Sequence, residues 1–467
     1  MDKQTTILQL LQEELPNIPI KTDPLSLYTY GKDASAYFEP NPAAILFPTN
    51  TDQVIQIVQF ANKHLYPLVP SGGRTGLSAA ATATNGELVV SFDKMDKILR
   101  FNEAEATVDV EPGLIISNLQ DFARSRGLFY PIEYAATGSS QVGGNIATNA
   151  GGIQVIRYGM TRDWITGLKV VSGKGELLNS NKGLRKNATG YDLRHLFIGS
   201  EGTLGFIVEA TIQLCMPPKN PSTFLFGLKD QEKLLEVLQW MRQRVSLLAF
   251  EFFSGGALEY ALQESSVKYA LSAKYPYYAL VEFDALIEAS ESLSKEAREQ
   301  ELFEVLSQTD LIEEGTLALD ESDRKNLWAH RELIPVSLNK YAPYKNDISV
   351  RIGQIPGFLR DLEQLLAEYP ALDIVCFGHL GDGNIHINIP RPAGADTAAF
   401  KQSCEAISRK VYHLVEAYAG SISAEHGIGL IKKEFLSNSR SSEEISYMKA
   451  IKTIFDPNNI LNPGKIF

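Results

Sequence analysis

Apolar residues recur along the first half of the chain in two alternating rhythms. Ala-Ala-Ile-Leu-Phe at 43–47 is a continuous apolar run, the pattern of a buried strand. Val54, Ile57, Val58 and Ala61 then repeat at helical spacing, with Asn50 or Thr51 as the N-cap. Tyr-Pro-Leu-Val at 66–69 predicts the next strand, and 87–92, 97–101 and 106–110 continue the α/β alternation. Farther on, Trp164 to Leu178 reads as a hairpin around Ser-Gly-Lys-Gly, and Gly205 to Leu214 as another strand. Met-Pro-Pro-Lys-Asn-Pro-Ser at 216–222 breaks the pattern and marks a boundary. Beyond it, 279–284 and 373–390 supply strands, and the charged run 287–303 reads as an exposed helix.

The second of those strand regions carries chemistry. Gly-His-Leu-Gly-Asp-Gly-Asn-Ile-His-Ile-Asn at 378–388 predicts two short strands joined by a glycine-rich turn. That places His379 near the end of one strand and His386 near the start of its partner, with His386 and Asn388 on one face. Ala-Glu-His-Gly-Ile-Gly at 424–429 adds Glu425 and His426. Two imidazoles and a carboxylate suit Zn2+ or a similar divalent ion and leave a coordination position open for substrate.

Three glycine-rich stretches form a second group: Pro-Ser-Gly-Gly-Arg-Thr-Gly-Leu (70–77), Thr-Gly-Ser-Ser-Gln-Val-Gly-Gly-Asn-Ile-Ala-Thr-Asn-Ala-Gly-Gly (137–152) and Gly-Ser-Glu-Gly-Thr-Leu-Gly (199–205). Such backbone approaches a ligand closely, and its N–H groups can converge on a pyrophosphate. Ser139, Ser140, Asn145, Thr148 and Asn149 add neutral donors. The spacing is neither that of a Rossmann fingerprint nor that of a P-loop.

With 467 residues, 44% hydrophobic and 21% charged, the chain has material for two domains. A formal charge of −12 argues against nucleic-acid binding and requires that cations for an anionic substrate be placed locally. Cys215, Cys376 and Cys404 lie far apart without CxxC spacing, which fits a reducing compartment. The polar start and the lack of an apolar run of membrane-spanning length predict a cytoplasmic protein with no transmembrane segment.

The motifs above occur in the order of one family, together with Pro-Thr-Asn-Thr-Asp-Gln-Val (48–54), Arg-Tyr-Gly-Met-Thr-Arg-Asp (157–163), Asn-Ala-Thr-Gly-Tyr-Asp-Leu (187–193) and Phe-Asp-Pro-Asn-Asn-Ile-Leu-Asn-Pro-Gly-Lys (455–465). From about Pro24 onward the chain resembles the FAD-linked D-2-hydroxyacid dehydrogenases of the vanillyl-alcohol-oxidase-type flavoproteins. The resemblance implies an α+β fold with a two-subdomain FAD-binding domain over 1–218. A cap domain with an antiparallel, ferredoxin-like sheet would occupy 219–424, and a segment over 425–467 would return to the flavin. It further implies that Pro70, Ser71, Gly72, Gly73, Arg74, Thr75, Gly76 and Ser78 wrap the pyrophosphate. Gly138, Ser139, Ser140, Gly143, Gly144, Asn145, Thr148 and Asn149 would line the flavin. Glu201, Gly202 and Ile207 would meet the adenine half, and Asn462 the isoalloxazine. The first loop carries no histidine, so the FAD is expected to be held non-covalently.

By the same resemblance His379, His386 and Glu425 are the ligands of a divalent metal, Zn2+ first among the candidates, and His426 is the base. Arg331, Lys345 and Asn388 are the implied substrate-binding residues. The implied reaction takes a small anionic D-2-hydroxyacid to its 2-oxoacid, with hydride passing from Cα to flavin N5. D-2-hydroxyglutarate is the preferred substrate and D-malate a further one. D-lactate or glycolate is the same-class alternative, and a flavin-bearing but catalytically idle subunit of an oxidoreductase complex the remote one. Electrons would leave to an electron-transfer flavoprotein, a quinone or a cytochrome, an acceptor that could bring the protein to a membrane surface. A homodimer is common among relatives. Two departures stand out: Pro335, where some relatives carry a hydroxyl, and Arg351, where many carry proline. Strand alternation would put Arg351 on the face of Ser349, either as a second cation for a dicarboxylate or as an outward charge.

Overall fold

The structure, a computed structural model, describes residues 3–35, 37–284 and 294–467. Two units emerge from it. The first comprises residues 1–152, 159–217 and 425–467, and the second 153–158 and 218–424.

The first unit holds two sheets. In one, β2 (Ala44–Leu46), β4 (Leu88–Ser91) and β3 (Leu68–Ser71) run parallel, with β1 (Ile20–Lys21) antiparallel at the edge beside β2. Parallel strands are covered on both faces, which is why β2 and β4 are apolar at successive positions rather than at alternate ones. The helix Thr51–His64 connects β2 to β3. Its N-cap is Asn50, whose side chain accepts from Gln53 N at 3.0 Å; Asp52 and Lys63 suit the dipole at either end, and Leu65 closes it with φ 48°. Val54, Ile57, Val58 and Ala61 are buried, as their spacing predicts.

The other sheet has five antiparallel strands in the order β5 (Ile98–Asn102), β6 (Thr107–Val110), β9 (Gly205–Gln213), β7 (Ile165–Ser172) and β8 (Leu177–Ser180). The expected hairpin at 164–178 is β7–β8. Residues from the C-terminal segment complete the parallel sheet's surroundings: Leu68 N donates to Ile460 O and Asn462 N to Leu68 O, both at 2.7 Å.

The second unit is built on a seven-stranded sheet, antiparallel throughout. Its order is β13 (Glu314–Leu317), β10 (Pro221–Leu228), β12 (Tyr277–Asp284), β11 (Ser246–Ser254), β15 (Val375–His379), β16 (Asn384–Ile389) and β14 (Tyr344–Ser349). One face packs Leu225, Phe253, Leu280 and Phe377 against helices, including Glu321–Asn339 with its buried Leu327, Trp328 and Ile334. Of the charged run 287–303, residues 287–293 lie outside the described residues. The helix Lys295–Ser307 covers the rest of it, exposed along one side and burying Glu299, Leu302 and Leu306 on the other. Strand β14 ends at Ser349, and Arg351 instead caps a short 3-10 turn, Ile352–Gln354. The alternation expected for Arg351 therefore does not extend to it, and its side chain is exposed.

Candidate active site

In the second unit the hairpin forms as the glycine-rich sequence predicts, with His379 ending β15 and His386 near the start of β16. Antiparallel register then aligns a row of polar side chains across four strands. Glu251 on β11 stands opposite His379, His379 opposite Asn384, Phe377 opposite His386, and His386 opposite Asp347 on β14. One step along, Lys345 faces Asn388. Opposed residues share a face, so the two histidines, Asn388, Lys345, Asp347 and Glu251 share one side of the sheet.

The two imidazoles are 5.2 Å apart between centroids and nearly perpendicular. His379 Nδ1 lies 2.7 Å from Glu251 Oε1, and His386 Nδ1 lies 3.4 Å from Asp347 Oδ1. Asp347 is itself fixed: Oδ1 accepts from Asn384 Nδ2 at 2.8 Å and Oδ2 from Ala424 N at 3.1 Å. Arg331, buried on the helix Glu321–Asn339, brings NH2 to 3.0 Å from Glu251 Oε2 and stacks over Phe377 at 4.6 Å. Burial opposes ionisation of Glu251, but His379 and Arg331 outweigh it and hold its pKa below the ordinary carboxylate value. Arg331 Nε is buried without a hydrogen-bond partner among the described residues, an open donor for a planar acid. Lys345 is half-buried, its Nζ donates to Asn339 at 2.9 Å, and burial lowers its pKa. Two imidazoles beside the Asp347 carboxylate are a donor set that fits a divalent ion such as Zn2+.

The first unit carries a cleft of about 600 Å3, counting its open mouth. Pro70, Gly72, Gly143, Gly144, Thr148, Glu201, Gly202 and Ile207 line it, joined by Phe92, Pro112, Gln141 and Phe206. A dinucleotide fits these walls on two grounds. A Cβ added to Gly144 would meet nothing within 4 Å, so the backbone is bare toward the cleft. Ser71 Oγ, Gln141 Oε1, Asn145 Nδ2 and Asn462 Oδ1 are also buried without partners among the described residues, although buried polar atoms are nearly always matched. Other expected residues lie in the loops behind the lining. A Cβ on Gly73 would sit 2.3 Å from Ser139 O, so these two loops touch only because residue 73 is glycine. Arg74, with φ 61°, bonds Gly72 O at 2.8 Å and lies over Tyr30, and Thr75 is half-buried beside it. Gly76 approaches Asp33, and Ser78 O accepts from Leu430 N at 3.0 Å. Gly138 is exposed, Ser140 is buried, and Asn149 ends the helix Val142–Thr148 with φ 50°.

Glu201 has φ 51°, and its carboxylate turns to the C-terminal segment, accepting from Ile428 N at 2.7 Å and Gly429 N at 2.8 Å. Burial pushes its pKa up to about 7 against the two amides. Asn462, with φ 44°, donates to Ala80 O and Glu201 O. Glu425 and His426 begin this segment, 3.7 Å apart between Oε1 and Nε2.

Residues 217–466 match the model of the FAD linked oxidases' C-terminal domain, and 42–181 that of an FAD binding domain. The chain belongs to the FAD-linked oxidase family. It is 50% identical over 451 residues, 96% of each chain, to the D-2-hydroxyglutarate dehydrogenase of Stutzerimonas stutzeri. It is 45% identical to that of Xanthomonas citri pv. viticola, over 98% of this chain and 96% of the other. Among solved structures, p-cresol methylhydroxylase is 15% identical with a TM-score of 0.77, covering 100% of this chain and 97% of its own. The fold is thus that of the vanillyl-alcohol-oxidase-type flavoproteins. Among the described residues of this FAD-linked oxidase no helix is long and apolar enough to cross a membrane.

Sequence reading missed Glu251, Asp347 and Gln141. The first left a signal: a lone charge inside Leu-Leu-Ala-Phe-Glu-Phe-Phe is costly unless paired. Asp347 left none, since a carboxylate beside a turn-prone stretch is ordinary. Gln141 was part of a noted loop, but nothing in the sequence distinguishes it from its neighbours.

Proposed function

We propose that this FAD-linked oxidase converts D-2-hydroxyglutarate to 2-oxoglutarate, with D-malate as a further substrate. The observation that carries the reading is the 50% identity, end to end, with a protein named for that activity. Bound non-covalently, FAD supplies the acceptor for the Cα hydride, and a divalent metal, Zn2+ first among the candidates, supplies a Lewis acid at the substrate hydroxyl.

The chain's own residues bind, orient and move the proton. Arg331 and Lys345 offer a fork and a point charge to carboxylate groups, and Asn388 a hydrogen bond from the same strand as His386. His379, His386 and Glu425 are the proposed metal ligands; the hairpin geometry supports the first two, and family resemblance supports Glu425. His426 is the proposed base, taking the hydroxyl proton at a ring nitrogen, a task suited to a group that titrates near working pH. The loops at 70–78 and 138–149, with Glu201, Gly202, Ile207 and Asn462, are the proposed FAD contacts. We further propose a cytoplasmic protein, a homodimer, passing electrons to an electron-transfer flavoprotein, a quinone or a cytochrome.

The test is anaerobic bleaching of the flavin near about 450 nm, the expected band of the cofactor. D-2-hydroxyglutarate, D-malate, D-lactate, glycolate and the L-enantiomers are compared with and without chelator. Fast, chelator-sensitive bleaching by D-2-hydroxyglutarate is the expected result. Bleaching by D-lactate or glycolate alone would overturn the substrate and keep the chemistry. No bleaching by any acid would overturn both.

A further inference from the structure

Glu251 sits in the middle of the seven-stranded sheet, among Phe250, Phe252 and Phe253, with 1% of its surface exposed. A carboxylate in such surroundings is tolerated only if its charge is compensated. Two different residues compensate it: Oε1 is hydrogen-bonded to His379 Nδ1 at 2.7 Å, and Oε2, which has no hydrogen-bond partner among the described residues, is ion-paired with Arg331 NH2 at 3.0 Å. We infer that Glu251 is a positioning residue that ties the metal ligand His379 to the substrate-binding Arg331, so that metal affinity and substrate affinity depend on one carboxylate. The inference rests on the reading of those two residues given above.

Three constraints tie these groups together. An ionised carboxylate can only accept, so the proton of this hydrogen bond belongs to His379 Nδ1 and the lone pair of the neutral ring stays on Nε2, the tautomer in which that nitrogen can act as a metal ligand. Cross-strand register then fixes the distance, because Glu251 stands directly opposite His379 in the β11–β15 pair. Arg331 is held from its other side by Phe377, which is two residues before His379 on the same strand face. The guanidinium, carboxylate and imidazole therefore form one rigid chain, and losing its central charge releases both ends. Linkage makes the effect reciprocal: whatever draws His379 into place for a metal also sets the fork for the acid.

The test is Glu251→Gln, which keeps the volume and removes the charge, with Glu251→Asp as a second variant that keeps the charge and shortens the reach. Zn2+ affinity is measured on the flavin-loaded protein by competition with a chromophoric chelator, without substrate. KM and kcat for D-2-hydroxyglutarate are measured separately at saturating Zn2+. We expect Zn2+ affinity to fall by about 10–100-fold and KM to rise by about tenfold or more, with kcat changed less than KM. Wild-type values for either property in a folded, flavin-bound variant would overturn the linkage. His379→Ala separates the two readings: retained Zn2+ affinity in that variant overturns the ligand assignment itself, whereas its loss beside an unaffected Glu251→Gln overturns only the linkage. Should both Glu251 variants fail to fold, nitrogen NMR of the metal-free wild type at alkaline pH decides. The Nδ1–H tautomer of His379 supports the proposal, and the Nε2–H tautomer overturns it.

Discussion

Two adjacent glycines of the first unit's cleft differ by where a methyl group would point. On Gly143 it would press to 2.6 Å from the Pro112 Cβ, and on Gly144 it would enter open space at the cleft wall. Gly144→Ala should therefore fold normally, gaining up to about 1 kcal/mol as a helical alanine, while FAD affinity falls. Gly143→Ala should instead lower the melting temperature. Thermal unfolding of flavin-free protein with flavin titration checks both, and equal behaviour of the two variants would contradict the cleft's geometry. The proposed base and the proposed metal ligand beside it give a second contrast. His426→Ala should keep FAD and metal yet reduce its flavin ~10²-fold or more slowly in stopped-flow mixing. Glu425→Ala should lose metal, and full metal content in it would remove Glu425 from the ligand set. At this scale the sequence was readable where chemistry is unusual, as at His379 and His386. It was unreadable at Asp347, whose importance comes from segments distant in the chain, Asn384 and Ala424.

Among elements, the hairpin β15–β16 was legible because glycine and alternation both act locally. In the charged run 287–303 the helix was legible over its described part, but the burial of Glu299 was not, since that depends on what the helix packs against. The segment after residue 424 shows how one element is secured. Glu201 accepts two of its amides, Gly427 approaches the same carboxylate, and Gly429 has φ 51° with its missing Cβ site 2.0 Å from Ser78 O. Gly429→Ala must displace this segment from the loop at 70–78, and it carries His426. We expect weaker FAD retention together with slower flavin reduction, measured by equilibrium dialysis and stopped-flow absorbance. A variant with wild-type values for both would show that the segment bends freely there.

For the molecule as a whole, stability should depend on pH through Glu201. Burial raises its folded pKa from the ordinary 4.5 to about 7. The folded protein thus keeps a proton that the unfolded chain releases across this window. The contribution is fully present below about 4.5 and is lost as pH rises through about 7, at no more than ~1.4 kcal/mol per pH unit. Denaturant melts of wild type against Glu201→Gln should show the wild type losing ground to the variant between those limits. A pH-independent difference would mean that the carboxylate is ionised throughout.

The order of segments within the first unit has a consequence for biosynthesis. Its residues 1–152 and 159–217 are made first, and residues 425–467 only after the whole of 218–424 has been translated. Domains fold as they leave the ribosome, N-terminal first. Here the earlier piece must wait, because Leu68 takes its backbone partners from Ile460 and Asn462. The second unit, nearly continuous in the chain, can close before it. Nascent chains stalled short of residue 460 should accordingly hold no flavin, and cofactor loading should begin only once the last segment is free to dock.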